Sequence, residues 1–165
     1  VIDALRVLVL LWQLRYPLLV LIVLQVTCSA VRSHVAAPVT TTYALTDSTT
    51  PTTWAQALLG ALGDPATSEN VRAITSWERA EGGHWSNSAR FNPLNTTQKE
   101  PGSAAMNSVG VQAYTSWDQG LAATVATLRN GRYGGILAAL AAANCAPCVA
   151  AAVGASPWGT GRFAV

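Results

Sequence analysis

The chain changes character twice along its length, and those changes set how much of it can form a packed body. Residues 1–30 hold most of the apolar excess. Residues 18–24 are an unbroken apolar run, residues 7–12 are another, and Gln13, Arg15 and Pro17 stand between them. Residues 31–53 lose that pattern and become rich in Thr, Ser and Pro, ending in Ser48-Thr49-Thr50-Pro51-Thr52-Thr53. A stretch with no apolar period has no face to bury and reads as a linker. The remainder, residues 54–165, is about 112 residues, enough for one modest core.

The first thirty residues support two readings. Arg6 and Arg15 supply a positive flank, and Cys28-Ser29-Ala30 offers small residues where a signal peptidase cuts. Each uninterrupted run is shorter than the about 20 apolar residues of a spanning helix. Counted through Arg15, residues 7–27 would span as an uncleaved anchor, with a cost of about 2.5–3.5 kcal/mol for the central arginine. Residues 1–30 therefore read as a signal peptide or as an N-terminal membrane anchor, with a buried core helix as the weaker option. Gln25-Val26-Thr27 does not make the small-residue box that would turn Cys28 into a lipoprotein cysteine.

Beyond residue 30 the charges nearly cancel, with eight basic and seven acidic residues. The whole chain has a formal net charge of +2, and Lys99 is its single lysine, so no electrostatic footprint for nucleic acid exists. The chain is half hydrophobic and 11% charged, which excludes a disordered acidic or basic segment. Three cysteines and two histidines are too scattered for a zinc site, and no cofactor is expected. Cys145 and Cys148 form an even pair of the kind exported proteins use, spaced for a small local disulfide. A redox motif is the alternative, although no strand–helix pattern precedes it.

Within the body the pattern predicts short helices around one irregular middle. Residues 54–62 read as helical and stop at Gly63-Asp64-Pro65. Thr67 or Ser68 caps a helix that runs through Glu81 and ends at Gly82-Gly83. Residues 84–115 are a long loop with a small hairpin, whose best strand is 109–114. Ser116 with Gln119 makes a capping box for a helix to Arg129, followed by helices at 133–143 and 147–153. The expected class is mainly α, with a loop-rich lobe inserted between the second and third helices.

One carboxylate falls on the wrong side of this scheme. At about 100° per residue, Val71, Ile74 and Trp77 define the apolar face of the helix ending at Glu81. Glu69, Arg72, Ser76 and Arg79 fall on the far side. Glu81 lies almost on the centre line of the apolar face, and Glu78 lies at its edge. Burial disfavours the charged form of a carboxyl group, so the pKa of Glu81 should rise. A carboxyl that keeps its proton near neutral pH is what a general acid requires. The bland alternatives are that Glu81, in a last turn before two glycines, points into water, and that Glu78 pairs with Arg79.

The residues around Glu81 carry a family resemblance. Ala80-Glu81-Gly82-Gly83-His84-Trp85 leading to Phe91-Asn92-Pro93-Leu94-Asn95 resembles the lysozyme-like peptidoglycan hydrolases, above all the flagellar-type β-N-acetylglucosaminidases. In those, a helix ends in the catalytic Glu, small residues follow, and an Asn-rich element comes next. Val111-Gln112-Ala113-Tyr114-Thr115-Ser116 resembles that family's strand entering a helix, and Gly110-Val111-Gln112 resembles the "GLMQ" turn of lytic transglycosylases. Residues 155–161 stand where the glucosaminidases carry "GYATDPxY", with Ser156-Pro157-Trp158-Gly159-Thr160-Gly161 replacing the "ATD" element. The ordered set covers 54–165 and is also similar to lysozyme-like domains of actinobacterial phages.

The resemblance implies an α+β lysozyme-like catalytic domain whose substrate is peptidoglycan and whose acid is Glu81. It implies an enzyme that is secreted or membrane-anchored facing the cell wall, or carried in a phage virion, as a monomer or part of a larger assembly. Residues 1–30 would be its contact with a membrane. Gln112, Tyr114, Asn92, Asn95 and Trp158 are the expected substrate-binding residues, and Trp85 is a second candidate for stacking on a sugar ring. Glycoside cleavage usually takes a second carboxylate, and Glu100 in the middle loop is the candidate. Asp118 reads instead as a first-turn helix residue, and His84 as a bystander. Without a second carboxylate, the substrate's N-acetyl group would assist, or a 1,6-anhydro product would form. Hydrolysis, lytic transglycosylation and an inactive peptidoglycan-binding module therefore all stay open.

Overall fold

Helix α1 spans Pro51–Leu62 in a computed structural model that describes residues 43–165. It starts inside the expected linker. The Thr50 hydroxyl accepts a hydrogen bond from the Thr53 amide, the Thr53 hydroxyl accepts one from the Thr50 amide, and Pro51 opens the helix. The composition that lacks an apolar period is also the composition of helix caps, which is why the sequence placed the start too late. Leu45 also packs against the core, so the boundary at residue 53 moves back by several residues. The signal or anchor reading of residues 1–30, and the linker reading of 31–42, lie outside the described residues. No helix among the described residues is long and apolar enough to cross a membrane.

Helix α2 spans Ser68–Glu81, capped by Thr67 and closed by Gly82 in the left-handed region at φ 67°. A single turn, α3, follows at Gly83–Ser86. Strands β1 (Ala104–Ala105) and β2 (Gln112–Ala113) form an antiparallel hairpin with Ala104 opposite Ala113. Helices α4 (Trp117–Leu128), α5 (Gly134–Ala142) and α6 (Ala146–Gly154) complete the body. The mainly α class expected from the caps is what the structure shows. Cys145 and Cys148 are joined in a disulfide at the start of α6.

Helix α2 packs against both α1 and α6, and α6 also packs on α5. The core is built from Trp54, Leu58, Leu59, Ile74, Trp77, Leu128, Ile136, Leu140, Val149 and Val153, all fully buried. The first turn of α2 fixes its neighbours through polar groups. Thr67 donates to the Ala143 carbonyl at 2.8 Å, and Asn70 donates at 2.8 Å to the Leu140 carbonyl, which also accepts from the Ala143 amide, so both tie α2 to the end of α5. Glu69 accepts from the Ala146 amide at 2.9 Å, at the positive end of α6. That bond, helped by Arg72, holds the Glu69 carboxyl below its ordinary value. The direction of α2, and so the position of Glu81 at its far end, is set by these ties.

Candidate active site

Glu81 ends α2 and is half-buried. Two residues from distant parts of the chain reach its carboxyl group. The Thr160 hydroxyl bonds to Oε1, and the Asn95 amide lies 3.4 Å from Oε2 while donating at 2.6 Å to the Glu81 carbonyl. Burial raises the Glu81 pKa, and the Thr160 hydroxyl, the Asn95 amide and the nearby Trp77 indole pull against that rise. The Trp77 indole donates at 2.8 Å to the Thr160 oxygen, so the core of α2, the C-terminal tail and the carboxyl are joined in one line of bonds.

Trp158 fixes that tail. Its indole donates to the Leu94 carbonyl at 3.0 Å, and its ring meets Trp77 edge-on at 4.8 Å and Tyr133 at 5.2 Å. These contacts hold Trp158 against the core and account for its partial burial. Trp158 thereby also holds the segment that carries Thr160 against α2. Trp85 is 36% exposed, with one ring face stacked on Trp117 at 5.4 Å.

The two glycines after Glu81 have separate physical causes. Gly82 needs its positive φ to end the helix. Gly83 needs the absence of a side chain, because a Cβ there would stand 2.2 Å from the Asn92 carbonyl oxygen. The loop carrying Asn92 and Asn95 thus lies directly on the chain just past Glu81. Gly83→Ala is expected to push this loop away from α2, costing about 2–3 kcal/mol of stability. Denaturant unfolding checks the cost. An unchanged midpoint would show that the close approach is dispensable.

Three expected substrate contacts are instead internal fasteners of the loop. Asn92 is fully buried, donates to the Thr96 and Gln112 carbonyls at 2.9 and 2.7 Å, and accepts from the Thr96 amide at 2.9 Å. Gln112 is 2% exposed, accepts from Ser103 at 2.8 Å and donates to the Gly110 carbonyl at 2.7 Å. Tyr114 is buried, and its hydroxyl donates to the Gln98 carbonyl at 2.6 Å. Burial, with the nearby Glu100 charge, raises the Tyr114 hydroxyl well above its ordinary value. A loop of this length with only a two-residue strand pair cannot satisfy its buried backbone by itself, so its polar side chains do so.

The charge of Glu100 acts on Tyr114, and its amide donates to the Ser103 hydroxyl at 3.0 Å. His84 is more than a bystander. Its Nδ1 accepts from the Phe91 amide at 2.8 Å, which requires the proton on Nε2, and burial with Arg90 nearby lowers its pKa.

Asn95 is the expected residue that the fold does bring to Glu81. It also lines a depression of about 180 Å³ between the end of α3 and the hairpin tip, with Asn87, Ser88, Met106, Asn107 and Val111. A larger hollow, about 500 Å³, lies between α6 and residues 162–165 and shares no residue with the partners of Glu81. The sequence reading missed Thr160, which is 79 positions from Glu81 and has no period or motif to mark it. It also misplaced Glu78, which is 3% exposed, with both carboxyl oxygens lacking hydrogen-bond partners. Burial pushes the Glu78 pKa up to about 9. Compared with known proteins, the chain matches no family profile, no curated protein and no solved structure.

Proposed function

We propose that this chain cleaves the β-1,4 bonds between N-acetylglucosamine and N-acetylmuramic acid in peptidoglycan, with Glu81 as the general acid, on a lysozyme-like fold. One observation carries the reading. Glu81 is half-buried at a helix end with its pKa raised, and its partner Asn95 opens onto a polar depression. A general acid must hold its proton and must also reach the substrate. Glu78 holds its proton more tightly but is 3% exposed and has no access. Among the described carboxyl groups, Glu81 combines a raised pKa with hydrogen bonds from a residue, Asn95, that lines such a depression.

Asn95, with Asn87 beside it, supplies amide groups suited to the N-acetyl and hydroxyl groups of such a glycan. The substrate's own N-acetyl oxygen, or its 6-hydroxyl in a lytic transglycosylase, would meet the developing positive charge at the anomeric carbon. The enzyme would face the cell wall, exported or tethered through residues 1–30, or act from a phage particle.

Mass analysis of murein digested by the full chain tests this reading. A new reducing N-acetylglucosamine end identifies a glucosaminidase, a reducing muramic acid end a muramidase, and a 1,6-anhydro end a transglycosylase. Murein that is bound but releases no soluble glycan would leave a binding module and overturn the catalytic reading.

A further inference from the structure

We propose that Thr160 is a positioning residue for Glu81: its hydroxyl, oriented by the Trp77 indole, occupies Oε1 and leaves Oε2 as the oxygen that carries the acid proton. The inference rests on the reading of Glu81 as the acid and adds which oxygen acts and what selects it.

An indole N–H can only donate. The Trp77 bond to Thr160 Oγ1 at 2.8 Å therefore uses an acceptor site on that oxygen. Trp77 is fully buried and held by core packing, so the direction of this bond is fixed. The single hydroxyl hydrogen of Thr160 is then free for Glu81 Oε1, the other oxygen-bearing partner that Oγ1 touches. Oε1 is committed as an acceptor from behind the carboxyl group. A proton arriving on Glu81 settles on Oε2, the oxygen that the Asn95 amide approaches at 3.4 Å, and Asn95 in turn lines the depression against the hairpin tip.

The same arrangement prepares the site for the reaction. As the Oε2–H bond breaks, the proton goes to the glycosidic oxygen, and the electron pair stays on the carboxyl group. That new charge meets two donors already in place, Thr160 on Oε1 and Asn95 on Oε2. Groups that need not reorient contribute more in the transition state than groups that must. Trp158, by anchoring residues 158–160 to Leu94 and Trp77, keeps the hydroxyl within reach.

Thr160→Val keeps the branched shape and removes the hydroxyl. The test titrates the Glu81 side chain in the full chain by carbon NMR of labelled glutamate, with the signal assigned through Glu81→Gln. The midpoint in Thr160→Val is expected about one pH unit above that of the unsubstituted chain, because the charged form loses a donor. Thr160→Ser is expected to restore it. On murein, kcat should fall about tenfold with KM unchanged, and the high-pH limb of the activity profile should move up with the midpoint. Thr160→Ala serves the same comparison if the valine variant does not fold. A midpoint that stays put in the hydroxyl-free variant, or that serine fails to restore, overturns the role of Thr160 whatever the activity. Lysis that survives Glu81→Gln overturns the reading of Glu81 as the acid whatever the midpoint.

Discussion

Glu81→Gln is expected to lower the release of soluble glycan from murein by about a thousandfold, the scale on which a positioned acid contributes to glycoside cleavage. Beyond the proton, the substitution removes the acceptor that Oε2 offers the Asn95 amide, which keeps its 2.6 Å bond to the backbone carbonyl at position 81. Glutamine has the shape of glutamate, and its side-chain carbonyl still accepts the bond from Thr160. Its amide has no proton to deliver to a leaving oxygen. Binding to insoluble murein, measured by co-sedimentation, should persist, because Asn95 keeps its backbone bond and the residues of the depression it lines are unsubstituted. Turbidity assays of cell-wall suspensions give the rate. Lysis by Glu81→Gln at more than about a tenth of the unsubstituted rate would remove this residue from the chemistry. The pH dependence has a definite sign. The acid works only while protonated, and its pKa is raised by burial, so activity declines as pH climbs through that raised value.

The caps made most of the helices legible. Thr67, Gly82 and Ser116 sit where the chain predicts, because a cap depends only on residues within one turn of it. Glu81 was legible for a related reason: periodicity places it in line with Ile74 and Trp77. Glu78 was not. The wheel took its apolar face from Val, Ile and Trp alone, whereas α2 is covered on two sides, by α1 and α6. Its buried arc therefore widens to Ala73 and Ser76, and Glu78, about 40° from Ile74 on the wheel, falls well inside it. Asn92, Gln112 and Tyr114 misled in the opposite direction. Polar residues in a glycine- and asparagine-rich loop look like ligand contacts until the loop's own unpaired backbone groups are counted. The Thr160 contact belongs to tertiary structure, since only the packing of Trp158 on Trp77 brings that tail to α2.

The buried Glu78 should make the folded protein lose stability as pH rises through the neutral range. Its pKa is about 9 when folded, against an ordinary value of 4.5 that the unfolded chain regains. Below the ordinary value both states are protonated, and Glu78 imposes no pH-dependent cost. Above it the unfolded chain releases the proton while the folded protein keeps it, so rising pH favours unfolding until the folded carboxyl also ionises near pH 9. Between the ordinary value and pH 7 this contribution is about 3 kcal/mol, a large share of the stability of a small domain. Glu78→Gln removes the titration and leaves a neutral side chain of the same size. Urea unfolding followed by tryptophan fluorescence at a series of pH values should show the unsubstituted chain losing about 3 kcal/mol more than the variant over that range. Equal slopes would mean that Glu78 finds a partner or water when ionised. Replacement by methionine should go further, since it also removes two carboxyl oxygens that have no hydrogen-bond partner. Neither change should impair glycan cleavage, because Glu78 is closed off from the depression beside Asn95. The two carboxyl groups thus separate by access. Both are pushed towards the protonated form by burial, and only Glu81, at the end of the helix, keeps the access that the proposed acid requires.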